Sequence, residues 1–240
     1  MQVLITRAEP AASRTANNLK ALGYEPVIAP IFKLHDLGIP FGYQEYKDFI
    51  FTSANAVEIM QKRGWSPEST DATAWCVGET TANAARKLGF TNTHVTSGGG
   101  AVLSKHIAEC ETSTESKFLY PATPDRSFNI EKTLKPFGIK VKTVDIYKLE
   151  KQVLPPQKLV DFFQMAEDGV IFAFSNRSAK HLDDIICGID KKISFKNFKV
   201  IAISQTAANI LLNFPWQAVY VSDSPSEASM ISRLERITLP

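Results

Sequence analysis

The sequence has few of the residues that build metal sites or disulfide frameworks. Among its 240 residues there are three cysteines and four histidines. The cysteines are odd in number and widely spaced, which is typical of reduced thiols in a cytosolic protein and argues against a disulfide-stabilised scaffold. The histidines show no metal-ligand spacing, either among themselves or with the cysteines. We therefore expect no metal ion.

Long apolar runs and an excess of one charge are also missing. No unbroken apolar run approaches the roughly 18 residues of a membrane-spanning helix, so we expect no membrane partner. The formal net charge is +2 at pH 7, and no Lys/Arg-rich run occurs, so nucleic acid is not an expected partner. Residues 1–7 lead straight into a strand, without the regions of a signal peptide. Together with the reduced thiols, this predicts a cytoplasmic protein.

Several familiar catalytic patterns do not occur. The sequence presents no carboxylate pair and no Ser-His-Asp arrangement, so it gives no sign of strong acid–base or nucleophilic catalysis. The run Ser-Gly-Gly-Gly at 97–100 lacks the Lys-Ser/Thr ending of a phosphate-binding loop and the spacing of a dinucleotide-binding turn. We interpret this run as a flexible connection.

What the chain does contain is an internal repeat. The pattern Ile-Phe-Lys-Leu at 31–34 returns as Ile-Tyr-Lys-Leu at 146–149. At the same offset, Leu119 corresponds to Leu4, and the glycine that ends the first predicted helix has a counterpart in the second copy. Each copy reads as a strand, a helix, a glycine turn and a second strand. Such self-similarity predicts a tandem pair of related α/β units.

The repeat leaves two ways to divide the chain into domains. Apolar strands alternate with amphipathic helices throughout, which is typical of parallel sheets covered on both faces. A single cut before Lys117 would separate the two copies. However, loop-rich segments near 37–41 and 152–156 follow the copies, and such composition changes often mark boundaries. We prefer a cut there. It predicts a discontinuous domain of residues 1–36 plus 152–240, a continuous domain of residues 37–151, and crossings near 31–37 and 146–152.

Hydroxyl side chains recur where predicted strands give way to helices. In open parallel sheets ligands bind at that edge, and helix N-termini there offer free N–H groups to anions. A single Ser or Thr before a helix is more often only an N-cap. Because these residues recur in both repeats, ligand binding and N-capping are about equally favoured for the set. Arg7 and Arg126 follow the first strands of the two copies and could bind carboxylates, although lone surface arginines are usually solvated. The hydroxyl residues are Ser53, Thr80, Thr81, Ser175 and Thr206.

Taken in order, the strand ends resemble those of the uroporphyrinogen-III synthase family. The matching segments are Phe-Thr-Ser at 51–53, Val-Gly-Glu-Thr-Thr-Ala at 77–82, Val-Asp-Ile-Tyr at 144–147, Phe-Ser-Asn at 174–176 and Ile-Ser-Gln-Thr-Ala at 203–207. The resemblance covers nearly the whole chain, and its specificity lies in the ordered set. One departure is Ser204, where the family commonly has glycine. Backbone approach to a ligand is expected to be less close there.

The resemblance implies both a fold and a reaction. The fold would be two related flavodoxin-like domains with parallel sheets, joined by a two-stranded linker. The enzyme would be a hydro-lyase of haem biosynthesis, without a cofactor, that closes the linear tetrapyrrole hydroxymethylbilane to uroporphyrinogen III with inversion of the terminal pyrrole ring. The substrate would lie between the domains. Because this substrate can cyclise unaided to the wrong isomer, the main task would be to hold one geometry. Self-contained units with short linkers predict a monomer.

The resemblance also implies a set of site residues. Tyr147 would be catalytic, assisting departure of the substrate hydroxyl group by hydrogen bonding or proton donation. A phenol with an ordinary pKa of about 10 is a weak acid, so its contribution is expected to be modest. The implied substrate-binding residues are Arg7, Ser53, Gly78, Thr80, Thr81, Arg126, Ser175, Asn176 and Thr206.

Other classes of protein remain open at this stage. A periplasmic-type binding protein also has two related α/β lobes and a hinge, but the missing signal peptide argues against it. A two-lobed nucleotide-using enzyme should show a glycine-rich phosphate turn or a metal-binding Asp-x-Asp, and neither occurs. A non-catalytic, two-lobed ligand-binding or sensing protein therefore remains the alternative to an enzyme.

Overall fold

The structure, a computed structural model, describes residues 1–40, 42, 44–110, 116–126, 128–189 and 193–238. It divides into two compact units. The first unit contains Met1–Lys33 and Glu150–Pro240, and the second contains Leu34–Leu149.

Most strands are followed by a helix along the chain. The strands are β1 (Gln2–Ile5), β2 (Glu25–Ile28), β3 (Phe32–Asp36), β4 (Asp48–Phe51), β5 (Thr73–Val77), β6 (Asn92–Thr96), β7 (Lys117–Ala122), β8 (Lys140–Asp145), β9 (Tyr147–Lys151), β10 (Gly169–Ala173), β11 (Phe198–Ala202) and β12 (Ala218–Val221). The helices are α1 (Ala11–Ala21), α2 (Ala54–Lys62), α3 (Glu79–Leu88), α4 (Gly100–Cys110), α5 (Ile130–Leu134), α6 (Gln157–Met165), α7 (Asn176–Cys187), α8 (Gln205–Leu211) and α9 (Glu227–Thr238). A 3₁₀ turn, Lys135–Phe137, extends α5. The strands β2, β3 and β4 follow one another directly, as do β8 and β9.

The first unit is built on a five-stranded parallel sheet in the order β2-β1-β10-β11-β12. Successive side chains of a strand point to opposite faces. Val3 and Ile5 of β1 and Phe172 of β10 share one buried cluster with residues of α1 and α9. Leu4 and Ile171, which alternate with them, are also fully buried. Both faces of this sheet are therefore covered, as its near-continuous apolar strands require.

The second unit has a five-stranded parallel sheet in the order β6-β5-β4-β7-β8. In this sheet β7 and β8 take the places that β1 and β2 have in the first, with β7 beside the central strand and β8 at the edge. If β7 and β8 are counted first, both sheets follow the flavodoxin-like order 2-1-3-4-5. The second unit is thus a circular permutation of the first, which explains the repeat. The predicted fold class, two related α/β domains with parallel sheets, is confirmed.

The central strand β4 organises the core of the second unit. Phe49 and Phe51 point to one face, where they pack with α2, α3 and the ring of Phe90. Ile50 points to the other face and lies in a cluster with residues of α4 and α5. Because β4 ends at Phe51, the next two residues, Thr52 and Ser53, emerge at the carboxyl edge of the sheet.

The strands β3 and β9 form a separate two-stranded sheet, and each passes from one unit to the other. The Leu37 N–H donates to the Ile146 carbonyl at 2.9 Å, and the Gln152 N–H donates to the Ile31 carbonyl at 3.0 Å, so the strands run antiparallel. At the end of β3, a hydrogen bond from Arg63 holds the pKa of the Asp36 carboxyl at about 2.

Two features of the described residues concern other kinds of function. Within the ranges given above, no helix combines the length and apolar character needed to cross a membrane. The same residues contain no group of three or more His, Cys, Asp and Glu side chains that could hold a metal ion.

Candidate functional site

The carboxyl edge of the second unit's sheet contains a pocket of about 240 Å³. Thr52 and Ser53, which follow β4, form part of its wall, and so do Tyr120 of β7 and Tyr147 of β9. Val77 at the end of β5, the glycines at the start of α4 and residues that follow β7 also line this pocket. The pocket lies where ligands bind in parallel α/β sheets. Its hydroxyl groups make it rich in neutral hydrogen-bonding side chains.

Ser53 has two roles at this edge. It is the N-cap of α2, and its Oγ accepts a hydrogen bond from the Asn55 N–H at 3.2 Å. It also hydrogen-bonds the Tyr147 side chain. The structural role of Ser53 as an N-cap and its role as a site residue are therefore compatible. One side chain closes the helix end and orients the phenol.

Tyr147 lines the pocket while being almost completely buried, with 3% of its surface exposed. Burial raises the pKa of its phenol to about 12, against a smaller opposing effect of the Ser53 hydrogen bond. The neighbouring Tyr120 also raises this pKa, which places the two phenols close enough to interact. Tyr147 is therefore neutral at physiological pH and a poorer acid than a free phenol. It is suited to donating a hydrogen bond more than to releasing a proton.

Tyr120 and Thr52 are pocket residues that the sequence interpretation missed. The Tyr120 Oη lies 2.9 Å from the Thr52 Oγ1, and the tyrosine is 2% exposed. Burial raises the pKa of the Tyr120 phenol, so it too stays neutral. The repeat contained a signal for this residue, because Tyr120 occupies the position that Ile5 has in the first copy. The exchange of an aliphatic side chain for a phenol marks a polar group that the first unit does not need.

Arg126 lines the same pocket with its charge already paired. One guanidinium nitrogen, Nη1, donates to the Asp145 carboxylate at 2.5 Å and to the Thr123 carbonyl at 2.9 Å. The ion pair fixes Arg126 across the ends of β7 and β8 and offsets the charge of its guanidinium. A substrate carboxylate would therefore meet directed N–H groups of Arg126, and less of an unpaired positive charge.

The predicted residues after β5 lie at the same edge in a different setting. Gly78 is the N-cap of α3 with φ +77 and ψ 149, a conformation that favours glycine, and its N–H donates to the Thr96 carbonyl at 2.8 Å. Thr80 is exposed in the first turn of α3, whereas Thr81 is only 5% exposed. Val77, the last residue of β5, lines the pocket. Thr80 is accessible to a ligand, and Thr81 packs inward.

The corresponding edge of the first unit carries a second set of predicted residues. Ser175 is the N-cap of α7 and forms a capping box with Ser178. The Asn176 Oδ1 accepts a hydrogen bond from the Ser204 Oγ at 3.1 Å, and Thr206 is exposed in the first turn of α8. The backbone of Ser204 is extended, with φ −154, so the position does not require the glycine common in the family.

Arg7, at the end of β1, is held by the start of α9. Its Nη1 donates to the Glu227 carboxylate at 2.7 Å, and its guanidinium lies 4.4 Å from the centre of the Phe174 ring. Glu227 also accepts hydrogen bonds from Thr15 at 2.8 Å and from Asn18 at 3.0 Å. These contacts tie α9 to α1 and fix the direction of the Arg7 side chain.

The structure thus distributes the predicted residues over two sheet edges. Ser53, Arg126 and Tyr147 share the pocket of the second unit. The other residues of that unit follow β5 at the same edge, and they are Gly78, Thr80 and Thr81. Arg7, Ser175, Asn176 and Thr206 lie at the carboxyl edge of the first unit's own sheet.

Comparisons with known proteins match nearly the whole chain. A family model described as uroporphyrinogen-III synthase HemD matches residues 13–232. The solved uroporphyrinogen-III synthetase of Helicobacter pylori matches with a TM-score of 0.64, 17% sequence identity and 98% of each chain covered. A mutant uroporphyrinogen III synthase of the extremely thermophilic bacterium Thermus thermophilus matches with a TM-score of 0.51, 14% identity and 98% of each chain covered. The curated protein sequences contain no match. At such identities the solved structures support the fold alone, and the family model extends over most of the sequence.

Proposed function

Because the chain belongs to the uroporphyrinogen-III synthase family, whose function lies in tetrapyrrole biosynthesis, we propose that it converts hydroxymethylbilane to uroporphyrinogen III. The observation that carries this proposal is the family match over residues 13–232. The pocket of the second unit supports it, because its neutral hydroxyl groups suit a dehydration better than they suit hydrolysis or phosphoryl transfer.

The proposed reaction is that of a hydro-lyase. The hydroxymethyl oxygen leaves as water, a new carbon–carbon bond forms at the substituted carbon of the terminal pyrrole, and this ring is inverted before closure. The reaction causes no net oxidation or reduction of the substrate. Because ring closure to the other isomer is possible without an enzyme, rate enhancement matters less than control of geometry. A shaped pocket whose wall consists mainly of uncharged side chains provides such control.

We assign to Tyr147 the hydrogen bond to the departing hydroxyl oxygen of the substrate. Its phenol is neutral, lines the pocket and is oriented by Ser53. With a pKa of about 12, it contributes by donating a hydrogen bond to the oxygen as negative charge develops there. The proton that converts this oxygen to water can come from solvent, so Tyr147 need not ionise.

The substrate's carboxylates are assigned to the two sheet edges. The N-termini of α2 and α3 in the second unit and of α7 in the first offer backbone N–H groups and a favourable dipole. This explains how a chain with a formal net charge of only +2 could bind a polyanion. The residues proposed to contact the substrate are Arg7, Ser53, Gly78, Thr80, Thr81, Arg126, Ser175, Asn176 and Thr206.

The same proposal covers the organisation of the protein. Residues 1–36 with 152–240 and residues 37–151 would act as two domains, and the existence of two compact units, with bounds a few residues away, supports this proposal. Each unit has its own sheet and its own buried core, so we propose a monomer. Unpaired cysteines fit a reducing compartment, and we propose a cytoplasmic location.

The decisive experiment is an isomer analysis. Hydroxymethylbilane is generated enzymatically, the protein is added, and the oxidised uroporphyrin isomers are separated by chromatography. We expect a protein-dependent change from isomer I to isomer III. Isomer I alone, formed in the presence of folded protein, would contradict the proposal and favour a non-catalytic ligand-binding function.

Two substitutions test the role of Tyr147. Tyr147→Phe should lower kcat by about fivefold, because it removes one hydrogen bond worth about 1 kcal/mol. Ser53→Ala should have a smaller effect on kcat, since it removes the group that orients the phenol but leaves the phenol in place. Tyr46→Phe is the matched control, because Tyr46 lies in the same unit but lines a separate pocket with Trp65. A loss above a thousandfold in Tyr147→Phe would indicate proton transfer in place of hydrogen bonding.

A further inference from the structure

The pocket of the second unit contains two phenols, each paired with a hydroxyl group at the end of the same strand. Thr52 and Ser53 are consecutive residues after β4. Tyr120 is paired with Thr52 at 2.9 Å, and Tyr147 hydrogen-bonds Ser53. Tyr120 belongs to β7, which pairs directly with β4, whereas Tyr147 begins β9. Two separate strands therefore bring equivalent groups to one wall.

We propose that Tyr120 is a second substrate-contacting phenol, which donates a hydrogen bond to the same departing oxygen as Tyr147. This inference rests on the proposed function. Two donors on one oxygen form the equivalent of an oxyanion hole, an arrangement that stabilises developing negative charge better than one donor does.

The protonation states of the two phenols support this role. Burial raises the pKa of both, so each carries its proton at physiological pH. Both side chains line the same pocket, and Tyr120 adds to the raised pKa of Tyr147. The charge of Arg126 lowers the pKa of Tyr120 and the charge of Asp145 raises it, so the two members of this ion pair have opposing effects. Both phenols remain neutral donors in one pocket.

The Thr52 contact leaves the Tyr120 proton available. Either oxygen of this pair can be the donor. When the Thr52 hydroxyl donates to the Tyr120 oxygen, the phenolic O–H can point to the substrate. Thr52 then does for Tyr120 what Ser53 does for Tyr147. It holds the phenolic oxygen of Tyr120 in place and leaves the phenolic hydrogen free to reach the substrate.

The chemical step balances without consuming either phenol. The bond between the hydroxymethyl carbon and its oxygen breaks, and its electron pair leaves on the oxygen. Electrons of the pyrrole nitrogen form the new exocyclic double bond, and the N–H proton is released. The oxygen takes up one proton and departs as water, so no net proton is consumed. The phenols only stabilise the charge on the oxygen while it leaves.

A structural role for Tyr120 makes different predictions. If the pair with Thr52 only ties β7 to β4, Tyr120→Phe and Thr52→Val should destabilise the protein and lower its activity equally. If Tyr120 contacts the substrate, Tyr120→Phe should lower kcat by about three- to tenfold with little change in KM, and Thr52→Val should lower it by less than about threefold. Urea unfolding of each variant separates stability from activity.

The experiment combines these variants with Tyr147→Phe in the isomer assay. We expect the double variant Tyr120→Phe/Tyr147→Phe to be slower than either single variant and to release a larger fraction of isomer I, because unaided ring closure then competes. Equal activity of Tyr120→Phe and Thr52→Val, or a double variant no slower than Tyr147→Phe, would overturn the role of Tyr120. Wild-type protein that forms no isomer III would instead contradict the proposed function, so the two failures are distinguishable.

Discussion

Replacing Phe49 with alanine is expected to lower the free energy of unfolding of the second unit by about 3–5 kcal/mol, the usual cost of removing a buried phenylalanine ring. Phe49 is 1% exposed and lies on the central strand of the sheet. Its ring centre is 5.0 Å from that of Trp65, 5.3 Å from that of Phe90 and 6.3 Å from that of Phe51. Alanine would remove all three ring contacts and leave a cavity among large, rigid neighbours.

The effect should reach the pocket, because Phe49 and the hydroxyl groups belong to one strand. Thr52 and Ser53 follow β4 directly, and their positions depend on the packing of Phe49 and Phe51 against α2 and α3. We therefore expect Phe49→Ala to lose activity at a temperature where the first unit is still folded.

The change in the free energy of unfolding is measured by urea unfolding, followed by tryptophan fluorescence. Trp65 and Trp75 lie in the second unit and Trp216 in the first, so a signal from Trp216 alone would report the first unit. Phe137→Ala is the matched control, because Phe137 lies in the same unit but is 59% exposed. Its free energy of unfolding should change by less than about 0.5 kcal/mol. Equal effects of the two substitutions would contradict the assignment of Phe49 to the core.

The sheets of both units could be predicted because their strands are short, apolar and separated by amphipathic helices. The repeat also predicted that the two copies are related, since Ile31 and Ile146 begin the same pattern at corresponding positions. Sequence offset alone could not show the circular permutation. Which strand pairs with β4 depends on contacts between segments far apart in the chain, and neighbouring residues carry no record of them.

The site was only partly predictable for the same reason. Thr80 and Thr81 both belong to the predicted site, but consecutive helical residues cannot face the same way. Thr81 lies one turn before the buried Ala85 and two turns before Leu88, a spacing that predicts its burial. The helical period of α3 therefore distinguishes the buried Thr81 from the exposed Thr80, whereas the sequence motif alone does not.

Tertiary pairing explains the remaining omissions. Nothing near Arg126 in the sequence indicates that it pairs with Asp145 at the end of the neighbouring strand. The contact between Tyr120 and Thr52 likewise joins two strands that are distant in the chain. Hydroxyl groups before helices and the phenol of Tyr147 could be recognised in the sequence, whereas the phenol of Tyr120 is identified only where β7 pairs with β4.

Raising the pH from about 10 to about 12 is expected to cost the wild-type protein about 2–3 kcal/mol of stability through Tyr147 alone. The phenol has a pKa of about 12 in the folded state and 10.0 as its ordinary value. In this range the unfolded chain loses the proton while the folded protein keeps it. The stabilising contribution is therefore complete below pH 10 and is lost as the pH rises through the folded-state pKa.

The variant Tyr147→Phe isolates this contribution. Cys76, whose pKa burial raises to about 12, also destabilises the folded state at high pH, but it is present in both proteins and cancels in their difference. Urea unfolding of both proteins at several pH values should show the free energy of unfolding of the wild type falling relative to that of the variant as the pH rises, because only the wild type has the phenol that resists ionisation in the folded state. Parallel curves would contradict the raised pKa, and they would reopen proton donation by Tyr147 as an alternative to hydrogen bonding.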